Sequence, residues 1–290
     1  MIIDALFSGL TLGGMYALIA MGLTLQYGVA RILNLAYGEV VIAAAFAAYL
    51  LVTLADIGPL AGLALIVPAG FAISWGIYHV LLMPLVRRSR NRGMLEVDSI
   101  LATFGLLFVI QGLLLAIFGG NYTSYDYLNI AVEIAGTTVG ANRLIVLAVA
   151  VLLGAGFYLA LVHTRTGTAL RAVAVDPVAA GLVAIDVRWA GGLAFALGGA
   201  LAATGGVLVS MVLTFSATIG IVFTMKALIV VIMGGVGNVL GALIAGLMLG
   251  LAESFVATFG DPGLTLAATY ALFLATLLFK PEGLFGRASR

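Results

Sequence analysis

Long apolar runs, each broken by a few polar residues, fill the chain from end to end. A helix needs about 20 predominantly apolar residues to cross a bilayer. The runs predict crossings over Ile3–Leu25, Gly38–Leu54, Leu60–Met83, Ser99–Phe118, Leu144–Val162, Trp189–Leu213, Ile219–Met233, Val239–Phe259 and Leu264–Phe279. The pattern is that of one all-α, polytopic transmembrane helical bundle over residues 1–290, with about nine spans in a range of eight to ten. Two places break the regularity. The short segment between Gln26 and Tyr37 reads as re-entrant, and the glycine-rich stretch near Gly234 as a broken helix.

Composition agrees and excludes the alternatives. The residues are 63% hydrophobic and 9% charged, whereas a soluble domain carries about 25% charged residues and needs polar surface to face water. The surrounding solvent is therefore mostly lipid. The N-terminus, Met1-Ile2-Ile3-Asp4, lacks the basic segment of a signal peptide and its apolar stretch is too long for one, so the first span reads as retained. With no cysteine, disulfides and thiolate chemistry are excluded.

The net charge of +1 is uninformative, but its distribution is not. Arg87, Arg88, Arg90 and Arg92 share one loop, Arg165, Arg171 and Arg188 a second, and Lys280, Arg287 and Arg290 the tail. With nine passes these segments and Arg31 fall on one face, opposite Asp4, Asp56, Asp126, Glu133 and Asp261. Lys and Arg collect in cytoplasmic loops, so the C-terminus is expected inside and the N-terminus outside. Gly119–Asn142 is the one sizeable external loop, and its Asn121, Tyr122, Tyr125 and Tyr127 suit the membrane interface.

Residues 163–188 form a cytoplasmic loop far longer than the 2–8 residues that usually join bundle helices. Thr168–Val175 and Val178–Val183 read as two short helices, with Asp176 as N-cap and Pro177 at the first position of the second. Such a loop either lies on the lipid surface or docks a partner. A lipid-lying helix would carry large apolar residues on one face and many basic ones on the other. The small residues Ala169, Ala172, Ala179 and Ala180, with Arg171 beside them, favour protein docking.

Ionisable residues inside spans are costly and are functional candidates. Glu39, Lys226 and Glu253 qualify, with the polar Asn34 and Gln111. Glu39 reads either as an interfacial residue favoured by the positive start of its helix or as a pathway residue. Lys226 reads either as half of a buried pair with Glu253 or Glu39, or as a pathway residue, and both readings require a partner carboxylate. Gly9 and Gly13, Gly237 and Gly241, and Gly246 and Gly250 have the spacing that lets helices approach closely in lipid. Gly234, Gly235, Gly237, Asn238 and Gly241 suit a hinge. Catalytic readings find no support. Lys226 follows Met225 and Lys280 follows Phe279, so neither lysine belongs to a phosphate-binding loop, and His79 and His163 have no metal-ligand spacing. Nothing in the sequence requires a cofactor, a metal or nucleic acid.

Gly167, Ala169, Arg171, Ala172, Asp176, Pro177, Ala180 and Ile185 resemble the ATPase-coupling loop of the branched-chain amino-acid ABC permeases, with Ala184 where glycine is usual. Asn34, Gly38 and Glu39 resemble that family's Asn-x-Ala-x-Gly-Glu pattern, with Tyr37 where histidine is frequent. Gly234–Asn238 with Gly241, and Lys280–Gly286 with lysine replacing the usual arginine, resemble its glycine-rich break and its closing motif. The resemblance implies a permease subunit in a bacterial inner membrane. Its partners would be a second homologous permease, two cytoplasmic ATPase subunits and an extracytoplasmic solute-binding protein. Solute would move inward by alternating access while the partner hydrolyses ATP. Importers of urea and short amides share these motifs. A secondary transporter using Glu39 or Glu253, and a channel or scaffold subunit, are the rival classes.

Overall fold

The computed structural model describes residues 1–89, 92–134 and 137–286. Arg90, Arg287 and Arg290, counted above among the cytoplasmic charges, lie outside them. The first helix, α1 (Ile2–Leu25), continues through a π-helical turn at Gln26–Ala30. After α2 (Tyr37–Ala55), α3 (Pro59–Ile77) runs through a second π-turn into α4 (Met83–Arg88), forming one long crossing. Then come α5 (Arg92–Phe118), a two-stranded antiparallel hairpin of β1 (Ala131–Ile134) and β2 (Thr137–Gly140), and α6 (Ala141–His163). Two short helices follow, α7 (Arg165–Val175) and α8 (Pro177–Leu182). The chain ends with α9 (Val187–Val212), α10 (Gly220–Gly234), α11 (Val239–Phe259) and α12 (Thr265–Phe279).

Among the described residues, 8 helical runs are long and apolar enough to cross a membrane, and α10 makes a ninth, shorter apolar helix. The predicted spans hold to within a few residues except where the helix continues into a polar loop, and Val239–Phe259 coincides with α11. With 15 residues, α10 reaches only about 22 Å at 1.5 Å per residue, short of the ~30 Å hydrocarbon core. The non-helical stretch before it makes up the difference, with Phe215, Ser216 and Ala217 buried. Irregular backbone at membrane depth must be paired within the protein. Here Thr123 and Phe215 exchange both backbone bonds, at 2.7 and 3.0 Å.

That pairing corrects the reading of the external loop. Of the three tyrosines, Tyr122 alone has the exposure of an interface anchor, and Asn121 beside it is exposed too. Tyr125 turns inward to hydrogen-bond Ser210 Oγ at 2.8 Å, and Tyr127 packs on the core. An aromatic ring with a polar tip caps a bundle as readily as it marks a lipid boundary.

Helix α9 is the central post. Its glycines admit neighbours at backbone distance: Gly205 receives Ile19 of α1, Gly206 the Val41 carbonyl of α2, and Gly199 the Ser74 side chain of α3. The tightest antiparallel crossing is α1 on α11. Gly13 faces Gly246, Leu247 and Gly250, and Gly9 faces Leu251 and Ser254. A Cβ on Gly13 would lie 2.8 Å from the Leu247 Cα, so the sequence spacing marks a real interface. In lipid, where the surroundings are as apolar as leucine, such van der Waals packing supplies much of helix association. Helix α12 is peripheral, with Thr269 its one buried residue.

Candidate functional site

The loop over residues 163–188 folds as its local chemistry dictates. Thr164 caps α7 by accepting from Gly167 N at 3.0 Å. Asp176 Oδ1 accepts from Val178 N and Ala179 N at 2.9 and 3.1 Å, and Pro177 opens α8. Asp186 caps α9 the same way. The orientation of the small-residue face, however, needs correction. Ala180 is 3% exposed and belongs to the chain's own core, with Ala172 packed against that core. Gly167 is buried against the end of α6, where a Cβ would collide with Leu161. Gly167 and Ala180 therefore face the bundle and hold the loop onto it. The outward face carries Val175, Val178, Leu182 and Val183, 69–85% exposed, beside Arg171 and Asp176. Small side chains allow close approach from either side, so the sequence could not tell which face was turned in.

Inside the bundle, Lys226 finds the carboxylate it requires. Its Nζ lies 2.8 Å from Glu253 Oε2 and donates to Tyr16 OH at 2.7 Å. Tyr16 OH donates to the same Oε2 at 2.9 Å, and Thr269 Oγ1 donates to Oε1 at 2.6 Å. One residue from each of α1, α10, α11 and α12 thus meets at Glu253. The ammonium also sits 4.6 Å from the centre of the Tyr16 ring. A cavity of about 230 Å³ beside it is lined by Lys226, Thr269, Tyr270 and apolar residues.

Glu39 has the opposite surroundings. It is 0% exposed, and neither carboxylate oxygen has a hydrogen-bond partner among the described residues. It lies against Gly220 at the start of α10, where a Cβ would fall 2.6 Å from Oε2. This is not an interfacial position. Tyr37 OH, two residues earlier, donates to the Ile19 and Gly198 carbonyls at 2.9 and 3.0 Å, and Gly198 lies near the middle of α9. Helix α2 therefore starts at mid-depth, after an unwound stretch from 31 to 36. Side chains satisfy that stretch. Gln26 Nε2 donates to the Phe195 carbonyl, Asn34 Nδ2 to Gln26 Oε1, and Ala36 N to Asn34 Oδ1, at 2.9, 3.1 and 3.1 Å. Thr103 bonds Leu33 O, while Thr224 Oγ1 accepts from Gly38 N and donates to Leu35 O. Asn34 is a member of this scaffold. Gln111 is only partly buried, on α5.

Residues 5–279 match the family described as the branched-chain amino acid transport system permease component. The chain belongs to this permease family. The permease is 30% identical to the high-affinity branched-chain amino acid transport system permease protein BraD of Pseudomonas aeruginosa, over 98% of this chain and 96% of the relative. It is 30% identical, with the same coverage, to the permease protein LivH of that description from Escherichia coli K12. It is 29% identical to the probable branched-chain amino acid transport permease protein LivH of Methanocaldococcus jannaschii, over 93% and 88%. No solved structure matches the chain.

The permease's glycine-rich break is a four-residue turn between α10 and α11. Gly235 and Gly237 adopt φ of 97° and 81°, which only glycine does without strain, and Gly234 packs backbone to backbone on Gly241. Asn238 caps α11 through Gly241 N at 3.0 Å and donates to the Phe285 carbonyl at 3.0 Å. The closing motif returns along this turn, with Leu284 N bonding Met233 O at 2.7 Å. Two motifs far apart in sequence are thus one structural unit. Tyr16, Gln26, Thr224 and Thr269 escaped sequence reading. Each is a lone polar group on an apolar helix, common in lipid-embedded chains, and only the neighbour across the bundle gives it a role.

Proposed function

We propose that this permease is the membrane subunit of an ATP-driven importer, moving branched-chain amino acids inward by alternating access. Its relatives' names supply the solute class. A second homologous permease completes the pore, an external binding protein delivers solute, and two cytoplasmic ATPase subunits drive the cycle. The ten basic residues of the two loops and the tail support an orientation with α7–α8 and the C-terminus in the cytoplasm and the N-terminus outside.

The observation that carries this reading is the unpartnered apolar face of α7–α8. Four aliphatic side chains standing outward on a loop that carries few basic residues favour a protein contact over a lipid-lying face. Ala169, Arg171 and Ala172 flank it, and Asp176 with Pro177 sets its bend. ATP binding moves the permease only through differential affinity for its two states, and this face is where the difference enters. The turn at Gly234, Gly235, Gly237, Asn238 and Gly241 is the pivot, with the closing motif limiting its travel. Of the polar residues within the membrane, Glu39 is the pathway candidate: its free oxygens would accept the solute's ammonium when α2 and α10 separate. Lys226 and Glu253 lock helices together.

Val178→Asp with Leu182→Asp tests the reading. The permease should insert normally, but ATPase subunits should co-purify at a tenth of the normal yield or less. Wild-type co-purification and uptake would remove the loop from the coupling path. A single cysteine at Thr168 should resist a membrane-impermeant thiol reagent in intact cells; labelling from outside would invert the orientation.

A further inference from the structure

A groove of about 600 Å³ opens at the end of the bundle that carries α7. Its floor is the end of α1 with the π-turn, at Thr24 and Gly28. One wall is α6, at Tyr158, and the other is the start of α11, at Asn238. Helix α7 roofs it with Arg171, and Arg31 lines it too. No carboxylate is among the described lining residues, so two guanidinium groups face a space with no acidic side chain in its described walls.

Three observations show donors held ready. Arg31 has φ of 56°, a left-handed conformation that costs a non-glycine residue about 1 kcal/mol or more and fixes where its side chain leaves the backbone. Its guanidinium makes one long bond, 3.3 Å to the Ala174 carbonyl. Arg171 bonds the Val162 carbonyl at 3.0 Å and Thr168 at 3.4 Å, so both keep most of their five N–H donors. Thr24 is 0% exposed, and its hydroxyl has no partner among the described residues. A helical threonine ordinarily returns its hydroxyl to the carbonyl four residues back; this one, at the groove floor, does not.

We infer that this groove binds the head group of an anionic phospholipid of the cytoplasmic leaflet. Two arginine forks suit a phosphodiester, and the Thr24 hydroxyl and Asn238 amide supply further polar contacts. The apolar rim on α6 and α11 runs into helix faces that are exposed, as at Leu159 and Leu240, which places acyl chains where lipid already is. Basic pockets between transmembrane helices on the cytoplasmic side are known to hold anionic head groups. The leaflet rests on the orientation proposed above, but binding itself does not. A lipid seated here would touch α1, α7 and the α10–α11 turn together, and so would weight the positions these elements take in the cycle.

The full-length permease, purified in neutral detergent, would be titrated with phosphatidylglycerol, phosphatidylcholine and soluble glycerol phosphate, with bound lipid read by native mass spectrometry. Phosphatidylglycerol should bind at least tenfold more tightly than phosphatidylcholine, and glycerol phosphate should not compete at equal concentration. Arg31→Gln and Arg171→Gln should each weaken binding about fivefold, the double variant about twentyfold, whereas Arg165→Gln, outside the groove, should not. In the unmodified protein the preference should shrink as salt rises from 0.05 to about 0.5 M, a readout independent of how the variants fold. A photoreactive phosphatidylglycerol should label segments 158–175 and 236–240. Equal binding of both lipids, labelling elsewhere, or a double variant that folds and binds normally would overturn the inference. Glycerol phosphate binding as tightly as the lipid would overturn the lipid and leave an anion site. Because no ATPase takes part, failure here leaves the importer reading untouched.

Discussion

Glu253 and Glu39 are both shut away from solvent, at 4% and 0% exposure. Around Glu253 every acceptor has a donor, supplied by three other helices. Around Glu39 there is a glycine, and among the described residues no group donates to either oxygen. An unpaired carboxylate inside a membrane protein costs several kcal/mol unless it is neutral or finds a partner. The first carboxylate has the surroundings of a fastener that the fold uses in this state. The second has those of a group whose partner arrives in another state or with a ligand. The two also stand in different kinds of backbone. Glu253 lies well inside an unbroken 21-residue helix, whereas Glu39 lies where an unwound segment meets the start of α2, the sort of place where transporters put binding groups.

Breaking the fastener should have the largest effect on stability. Glu253→Ala leaves the Lys226 ammonium uncompensated and should cost about 3–5 kcal/mol, read by denaturant titration in mixed micelles. Lys226→Met with Glu253→Gln removes both charges and should recover most of that loss. A double variant as unstable as the single one would show that the pair is not what the alanine destroys. An intermediate effect is expected at Gly220→Ala. The added methyl collides with the Glu39 carboxylate and should cost about 1–3 kcal/mol, and a second change, Glu39→Ala, should return most of it. Absence of rescue would mean that the clash lies with other atoms. The smallest effect on stability belongs to Glu39→Gln. Since no donor is lost, unfolding should shift by less than about 1 kcal/mol, while uptake by the assembled importer should fall about tenfold, the signature of a role in passage rather than in folding. A loss of stability like that at Glu253 would show that Glu39 has a partner and end the contrast.

The same contrast governs what a reader of the sequence could see. Lys226 announces itself, because a charge seven residues inside an apolar run demands a carboxylate. Asp176-Pro177 announces a helix start through local hydrogen bonding, and the turn at Gly235 and Gly237 through backbone conformations other residues avoid. These signals are written within a few residues. Tyr16 and Thr269 could not be found that way, nor could the mid-depth start of α2, which depends on Tyr37 reaching carbonyls 18 and 161 residues away. The inward turn of Ala180 was hidden for the same reason. Local chemistry specifies a helix, while the side it presents is decided by what the bundle leaves open.

The crossing of α1 on α11 has a consequence for biosynthesis. Tyr16 and Glu253 are 237 residues apart, and the glycines that seat the two helices are nearly as distant. At about 5–20 residues per second, α1 resides in the bilayer for roughly 12–50 s before its partner leaves the ribosome. During that time its glycine stripe faces lipid or a borrowed helix, so α1, made long before α11, is housed late. Chains released before Glu253 should therefore be inserted yet unassembled, which makes them natural clients for whatever insertase or quality-control protease holds orphan helices in the membrane.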